Sequence, residues 1–231
     1  MFWKIFLLAL CVASAATFIV LRVKKAGAWA LFSKLIASAI FVMSGLLTLY
    51  VNQTLNLAGI FFVLGLFCGM IGDVLLELKE VYTTHMSRYL NAGFLSFGIG
   101  HGFYMAALSL IAAPVKKLWL PILVALTIGT VIAMLIVINS GSLGVDFGKH
   151  KIQAIAYSIV LCITFVYALT LFIMITELWL LALAFLYFLI SDLVLSLLYF
   201  AKKKSAGLQI LNLAFYYASQ IMIVAFMMFM L

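Results

Sequence analysis

The chain has 231 residues, 68% hydrophobic and only 9% charged, with a formal net charge of +8 and a mean hydropathy of +1.34. A soluble domain is about half apolar and about a quarter charged, so this composition excludes a soluble enzyme or binding module and defines a polytopic membrane protein. The 14 Lys and Arg fall mostly in short connections between apolar runs, where they set orientation and meet anionic headgroups, and no nucleic-acid partner is expected.

A spanning helix needs about 20 apolar residues. Eight runs qualify, roughly 5–21, 28–50, 56–77, 89–111, 118–139, 152–174, 178–200 and 207–230. Their length and the absence of a period-2 pattern favour helices over barrel strands. The expected fold is an all-α polytopic membrane protein with eight transmembrane helices in one domain, 1–231. The first run has Lys4 before it and Arg22, Lys24 and Lys25 after it. That charge order is the reverse of a signal peptide's, so the run reads as a span. Connections after the odd runs carry Arg22, Lys24, Lys25, Lys79, Arg88, Lys149, Lys151, Lys202, Lys203 and Lys204; the other side carries Lys4, Lys116 and Lys117. The positive-inside rule then puts both termini on the non-cytoplasmic side of the cell membrane. Pro114 and Pro121 flank the connection between the fourth and fifth runs, where a helix breaker costs little. Cys11, Cys68 and Cys162 lie inside apolar runs without pairing or ligand spacing, as small buried hydrophobes do.

Polar groups inside the runs are the candidates for function, because an ionisable side chain in lipid is expensive. Lys34 is about 9 Å into the second run and Asp73 about one turn from the end of the third. Glu77 shares a helix face with Asp73. A buried carboxylate pair there would suit acid chemistry, but Glu77 is expected at headgroup level, solvated. In the fourth run His101 is about 18 Å deep, with Tyr104 one turn further on the same face. Gly65, Gly69 and Gly72 in the third run, and Gly98 and Gly102 in the fourth, form small-residue faces that allow close helix packing. Tyr157 sits one turn into the sixth run, and Asp192 is about 12 Å from the end of the seventh. Asn212, Tyr216 and Gln220 form a polar stripe with Tyr217 beside it, Gln220 being about 20 Å deep. A zinc site needs three or four ligands, and the other histidines, His85 and His150, fall in connections, so neither metal nor cofactor is expected.

The polar groups also recur. Gly72-Asp73 resembles Ser191-Asp192, and each Asp precedes an amide or imidazole by 28 positions: His101 in one case, Gln220 in the other. An offset of 119 superimposes Asp on Asp and His on Gln. Two four-helix halves, about 1–112 and 118–231, would then point the same way, as parallel repeats about the membrane normal do.

In this order the residues resemble the YhhN/lysoplasmalogenase family of eight-helix membrane proteins. The matching elements are Lys34, Gly72-Asp73, His101-x-x-Tyr104, Tyr157, Ser191-Asp192 and Tyr216-Tyr217-x-x-Gln220. The proline usual beside the lysine is missing, and Gly100 and Ser219 stand where an alanine is common. The resemblance implies hydrolysis of the vinyl ether of a lysoplasmalogen to a fatty aldehyde and a glycerophospho-headgroup. Asp73, Asp192 and His101 would be catalytic, with Lys34, Tyr104, Tyr157, Asn212, Tyr216 and Gln220 binding substrate or supporting them. The implied partners are a lysophospholipid substrate and membrane lipid. The competing expectation from the residues alone is a proton-coupled transporter of a small molecule or lipid, in which paired intramembrane acids carry the proton.

Overall fold

A computed structural model describes residues 2–24, 27–53, 55–201 and 205–231. Lys25, Lys202, Lys203 and Lys204, which contribute to the charge bias, lie outside the described residues. The helices are α1 (Phe2–Val23), α2 (Ala28–Val51), α3 (Leu57–Val81), α4 (Met86–Ile111), α5 (Trp119–Val124), α6 (Thr130–Asn139), α7 (Lys151–Met174), α8 (Trp179–Phe200) and α9 (Ala206–Phe229). A single π turn, Ala125–Gly129, joins α5 to α6, so these two make one span, Trp119–Leu143. Eight spans are long and apolar enough to cross a membrane, and no strand occurs among the described residues. Helices are the form such runs take in lipid, because every backbone amide finds its partner within the segment.

The helices are sided as lipid requires. On α2, Trp29, Phe32, Ile36 and Met43 are exposed, while Lys34, Ser38, Ser44 and Thr48 are buried. Apolar side chains face outward and polar ones inward, the reverse of a water-soluble helix. Asn56 starts α3 by accepting the Gly59 amide at 2.7 Å, which satisfies one of the orphan donors of the first turn. Pro121 lies in the first turn of α5, where its missing N–H breaks no helical bond.

The chain divides into two compact units. The first comprises Met1–Ala107 and Gln220–Leu231, the second Leu108–Ser219. In the first unit α3 and α4 approach closely over glycine. A Cβ on Gly65 would stand 2.3 Å from the Tyr104 ring, and one on Gly72 would stand 2.6 Å from Phe97. Phe62 packs between Tyr104 and Phe226, with ring centroids 6.1 and 5.7 Å away. Lys4 at the start of α1 donates to the Met228 carbonyl at the end of α9. In the second unit Tyr216 stacks edge-on against Phe188 at 5.5 Å, and Phe215 does the same against Tyr187 at 5.1 Å.

Three sequence expectations need correction. A Cβ added at Gly98 or Gly102 would meet no other part of the protein within 4 Å; on α4 it is Gly93, against Leu76, and Gly100, against Cys68 and the Gly65 carbonyl, that face α3. The third span does not stop at Glu77 but runs to Val81. The charges that marked its end are folded in. Glu77 is 3% exposed and Lys79 4% exposed, and Arg22 belongs to the last turn of α1. Arg22 and Lys79 are therefore helix residues engaged in ion pairs, not loop charges.

Candidate functional site

In the first unit the site is built from α1, α2 and α3. Asp73 is 2% exposed. Its Oδ1 lies 3.3 Å from Lys34 Nζ, and its Oδ2 accepts a 2.6 Å hydrogen bond from Ser38 Oγ. Lys34 and Ser38 are four apart on α2, so they share the face turned to α3. The Lys34 ammonium also stands 5.3 Å over the Phe18 ring of α1, a cation–π contact that strengthens where water is excluded. Glu77, one turn beyond Asp73, reaches Lys34 Nζ at 3.9 Å with one oxygen and Arg22 Nε at 3.4 Å with the other. Arg22 continues to Glu80 at 3.1 Å, and Glu80 to Lys79 at 3.1 Å. Three cations and three carboxylates thus alternate from Lys79 through exposed Glu80 inward to Asp73. Buried charge is tolerated only when paired in this manner.

From α4, Tyr104 lies over Gly65 and within electrostatic reach of Asp73. The His101 ring stands edge-on to Tyr104 with centroids 6.0 Å apart. Both side chains are almost wholly buried. Gln220 is buried too, and its Nε2 finds no hydrogen-bond acceptor among the described residues.

The second unit holds the other acid. Tyr157 on α7 donates its hydroxyl to Asp192 Oδ2 on α8. Asp192 is half-buried. Asn212 of α9 donates to the Ser191 carbonyl at 2.8 Å and to Ser191 Oγ at 2.9 Å, and Ser191 Oγ in turn donates to the Asn212 carbonyl at 3.1 Å. This reciprocal clamp fixes the backbone beside Asp192. Asn212 therefore supports the acid through Ser191, and Tyr216 packs on Phe188 one turn before it.

Both acids sit eight residues before the end of their helix, at Val81 and Phe200. By the helical rise each is about 12 Å in, which corrects the shallow position expected for Asp73. Each takes a hydroxyl from the preceding span 35 residues earlier. The offset of 119 that aligns Asp73 with Asp192 also aligns Ser38 with Tyr157, and carries Leu57–Val81 onto the span Thr176–Phe200. Ser38 was missed from sequence because a serine in an apolar run carries no evident cost. Its spacing from Lys34, and the match of Ser38–Asp73 to Tyr157–Asp192, were the available signals.

Among the described residues no three His, Cys, Asp or Glu side chains gather as a metal-holding group. What the arrangement offers is intramembrane carboxylates held by hydroxyl and ammonium donors, with a phenol within electrostatic reach of one of them and an imidazole edge-on to that phenol. That defines a polytopic α-helical membrane protein with buried acid–base groups. Comparison with known families places it further: the model of the YhhN family matches residues 36–227, and the chain belongs to that family. The match begins just after Lys34 and includes the other predicted site residues. No curated protein and no solved structure matches the chain.

Proposed function

We propose that this protein is a membrane-embedded hydrolase that cleaves the vinyl ether of lysoplasmalogens, releasing a fatty aldehyde and a glycerophospho-headgroup. The observation that carries this reading is the pair of acids within the spans, each fixed by a hydroxyl from the preceding span, in a chain of the YhhN family. The reaction needs few groups. A proton adds to the β-carbon of the vinyl ether and leaves an oxocarbenium ion. Water adds to that cation and loses a proton, and the resulting hemiacetal parts into alcohol and aldehyde. The demands are a proton donor, a negative charge facing the cation and a group that orients water.

In this reading Asp73 and Asp192 supply the acid and the carboxylate. Asp73, clamped by Lys34 and Ser38, fits the charge-stabilising role. Asp192 takes the acid role, its carboxyl oriented by Tyr157. His101 and Tyr104 orient water. The ion pair of Lys34 with Asp73 supports a role for this lysine on the acid, in place of a contact with substrate phosphate. We also read the two four-helix halves as products of a duplication, on the shared offset of the acids, their donors and their spans.

The test is mass spectrometry of lysolipids incubated with the detergent-purified protein, with alkenyl, alkyl and acyl chains compared. Aldehyde release from the alkenyl lipid alone, lost in a folded Asp192→Asn variant, supports the reading. Intact lipid throughout, with pH-gradient-driven uptake in proteoliposomes, contradicts it and identifies a transporter.

A further inference from the structure

The charge chain of the first unit extends past the Lys34–Asp73 pair, and the second unit, whose Asp192 is half-buried, has no counterpart of that extension. At the offset that aligns Asp73 with Asp192 and Ser38 with Tyr157, Arg22 falls on Gly141, Lys34 on Gln153, Glu77 on Ser196 and Glu80 on Tyr199. The acid and its hydroxyl donor recur; the cations and the extra carboxylates do not. Ser196, at the Glu77 position, turns back to its own helix and donates to the Leu193 carbonyl at 2.7 Å. A helix pair of this design therefore carries its Asp without a residue like Glu77.

Glu77 is also not placed as a simple counter-ion. Its two oxygens divide between two cations, Oε1 to Arg22 and Oε2 to Lys34. The Lys34 ammonium in turn divides between Glu77 at 3.9 Å and Asp73 at 3.3 Å. Glu77 and Lys34 are each shared, so the Lys34 ammonium lies between two carboxylates, closer to Asp73. Loss of charge at one side must shift it toward the other, since charges in a buried site act strongly on one another. The charged and titratable groups facing this row are Arg22 from α1, Lys34 from α2, Lys79 and Glu80 from α3 itself and Tyr104 from α4. The stretch of α9 in this unit, after Gln220, carries no ionisable side chain.

We infer that Glu77, anchored by Arg22, is a positioning residue that shares the Lys34 ammonium with Asp73 and so sets how firmly that ammonium grips the Asp73 carboxylate. The inference rests on the proposed function only for its catalytic consequence. A grip that is too tight ties up the carboxylate that must face the developing cation, and one that is too loose lets it drift.

The test reads the Asp73 carboxylate directly. The chain has three aspartates, Asp73, Asp146 and Asp192. In an Asp146→Asn, Asp192→Asn background, carbon-13 labelling of aspartate leaves Asp73 as the one labelled carboxyl in the infrared spectrum. Glu77→Gln is expected to shift its carboxylate stretch, and Glu77→Asp to restore much of the parent position. Arg22→Lys, which keeps the charge but not the two-sided bridge, is expected to shift it less and covers the case in which Glu77→Gln does not fold. Ser196→Ala leaves the band in place. A band that stays fixed in the folded Glu77 or Arg22 variants overturns the inference. In the otherwise native chain, Glu77→Gln is expected to lower kcat about tenfold with KM nearly constant, and to add almost nothing in a Lys34→Met background, where there is no ammonium to position. An equal loss in both backgrounds also overturns it. If the native protein turns over no lysolipid but the band shifts, the proposed function fails and the positioning role stands.

Discussion

The two units solve the same problem with different means. Each carries an aspartate eight residues before the end of a spanning helix and gives it a hydroxyl from the helix before. The first unit then surrounds its acid with charge: Lys34 on the carboxylate, Glu77 behind Lys34, and Arg22 behind Glu77. The second uses neutral donors, a phenol on the acid and an amide clamp on the adjacent backbone. Asp73 is fully buried and Asp192 half-buried. A deeply buried carboxylate has to be held as part of an ion pair; the half-buried one is held by a hydrogen bond from a phenol. The difference teaches that one helical frame can present two carboxyl groups of unlike character, the condition that acid–base chemistry sets.

The comparison can be broken most severely at the acids. Asp73→Asn and Asp192→Asn are each expected to lower kcat by about 10²- to 10⁴-fold. Their stabilities should separate them. Asp73→Asn breaks the closer of the two buried ion pairs of Lys34, leaving it Glu77 alone, and should cost about 3 kcal/mol, whereas Asp192→Asn keeps a hydrogen-bonding partner for Tyr157 and should cost under about 1.5 kcal/mol. Thermal unfolding of the purified variants measures both. Equal losses would mean that the charge chain adds nothing to how Asp73 is held.

Next in size is Lys34. Lys34→Met leaves Asp73 and Glu77 as adjacent buried carboxylates and is expected to destabilise by about 3–5 kcal/mol. The matching change in the other unit, Gln153→Met, should fall within about 0.5 kcal/mol. Gly65→Ala drives a methyl into the Tyr104 ring, 2.3 Å from the site of the new carbon, and should cost about 1–3 kcal/mol while displacing Tyr104. The hydroxyl donors give effects of similar size. Ser38→Ala and Tyr157→Phe each remove one hydrogen bond to a carboxylate, worth about 1.5–3 kcal/mol if the acid stays charged. A smaller loss in Tyr157→Phe than in Ser38→Ala would sharpen the contrast, since it would show Asp192 tolerating the neutral form.

Much of this was legible in the sequence. Length and hydropathy define eight spans, and the cost of an ionisable group in lipid singles out Lys34, Asp73, His101 and Asp192. What stayed hidden depended on partners far away in the chain. Glu77 looked like a headgroup-level residue because three charged residues in four normally end a span. It is buried because α1 and α2 bring Arg22 and Lys34 to it. Arg22 and Lys79 counted as loop charges for the same reason. The glycine faces were hidden differently: spacing picked Gly98 and Gly102, but which side of α4 meets α3 is set by where Tyr104 and Phe97 can lie over Gly65 and Gly72.

The central claim is that carbon is protonated by a carboxyl group of this protein, and hydrolysis in deuterium oxide tests it most directly. A purified preparation is given an alkenyl lysolipid in heavy water, and the aldehyde is reduced at once to stop exchange. The account predicts a fatty alcohol carrying one deuteron on the carbon next to the hydroxyl-bearing carbon, with a rate slowed relative to ordinary water and abolished in Asp192→Asn. A rate not slowed in heavy water, or no aldehyde from a folded and lipid-competent preparation, would contradict it.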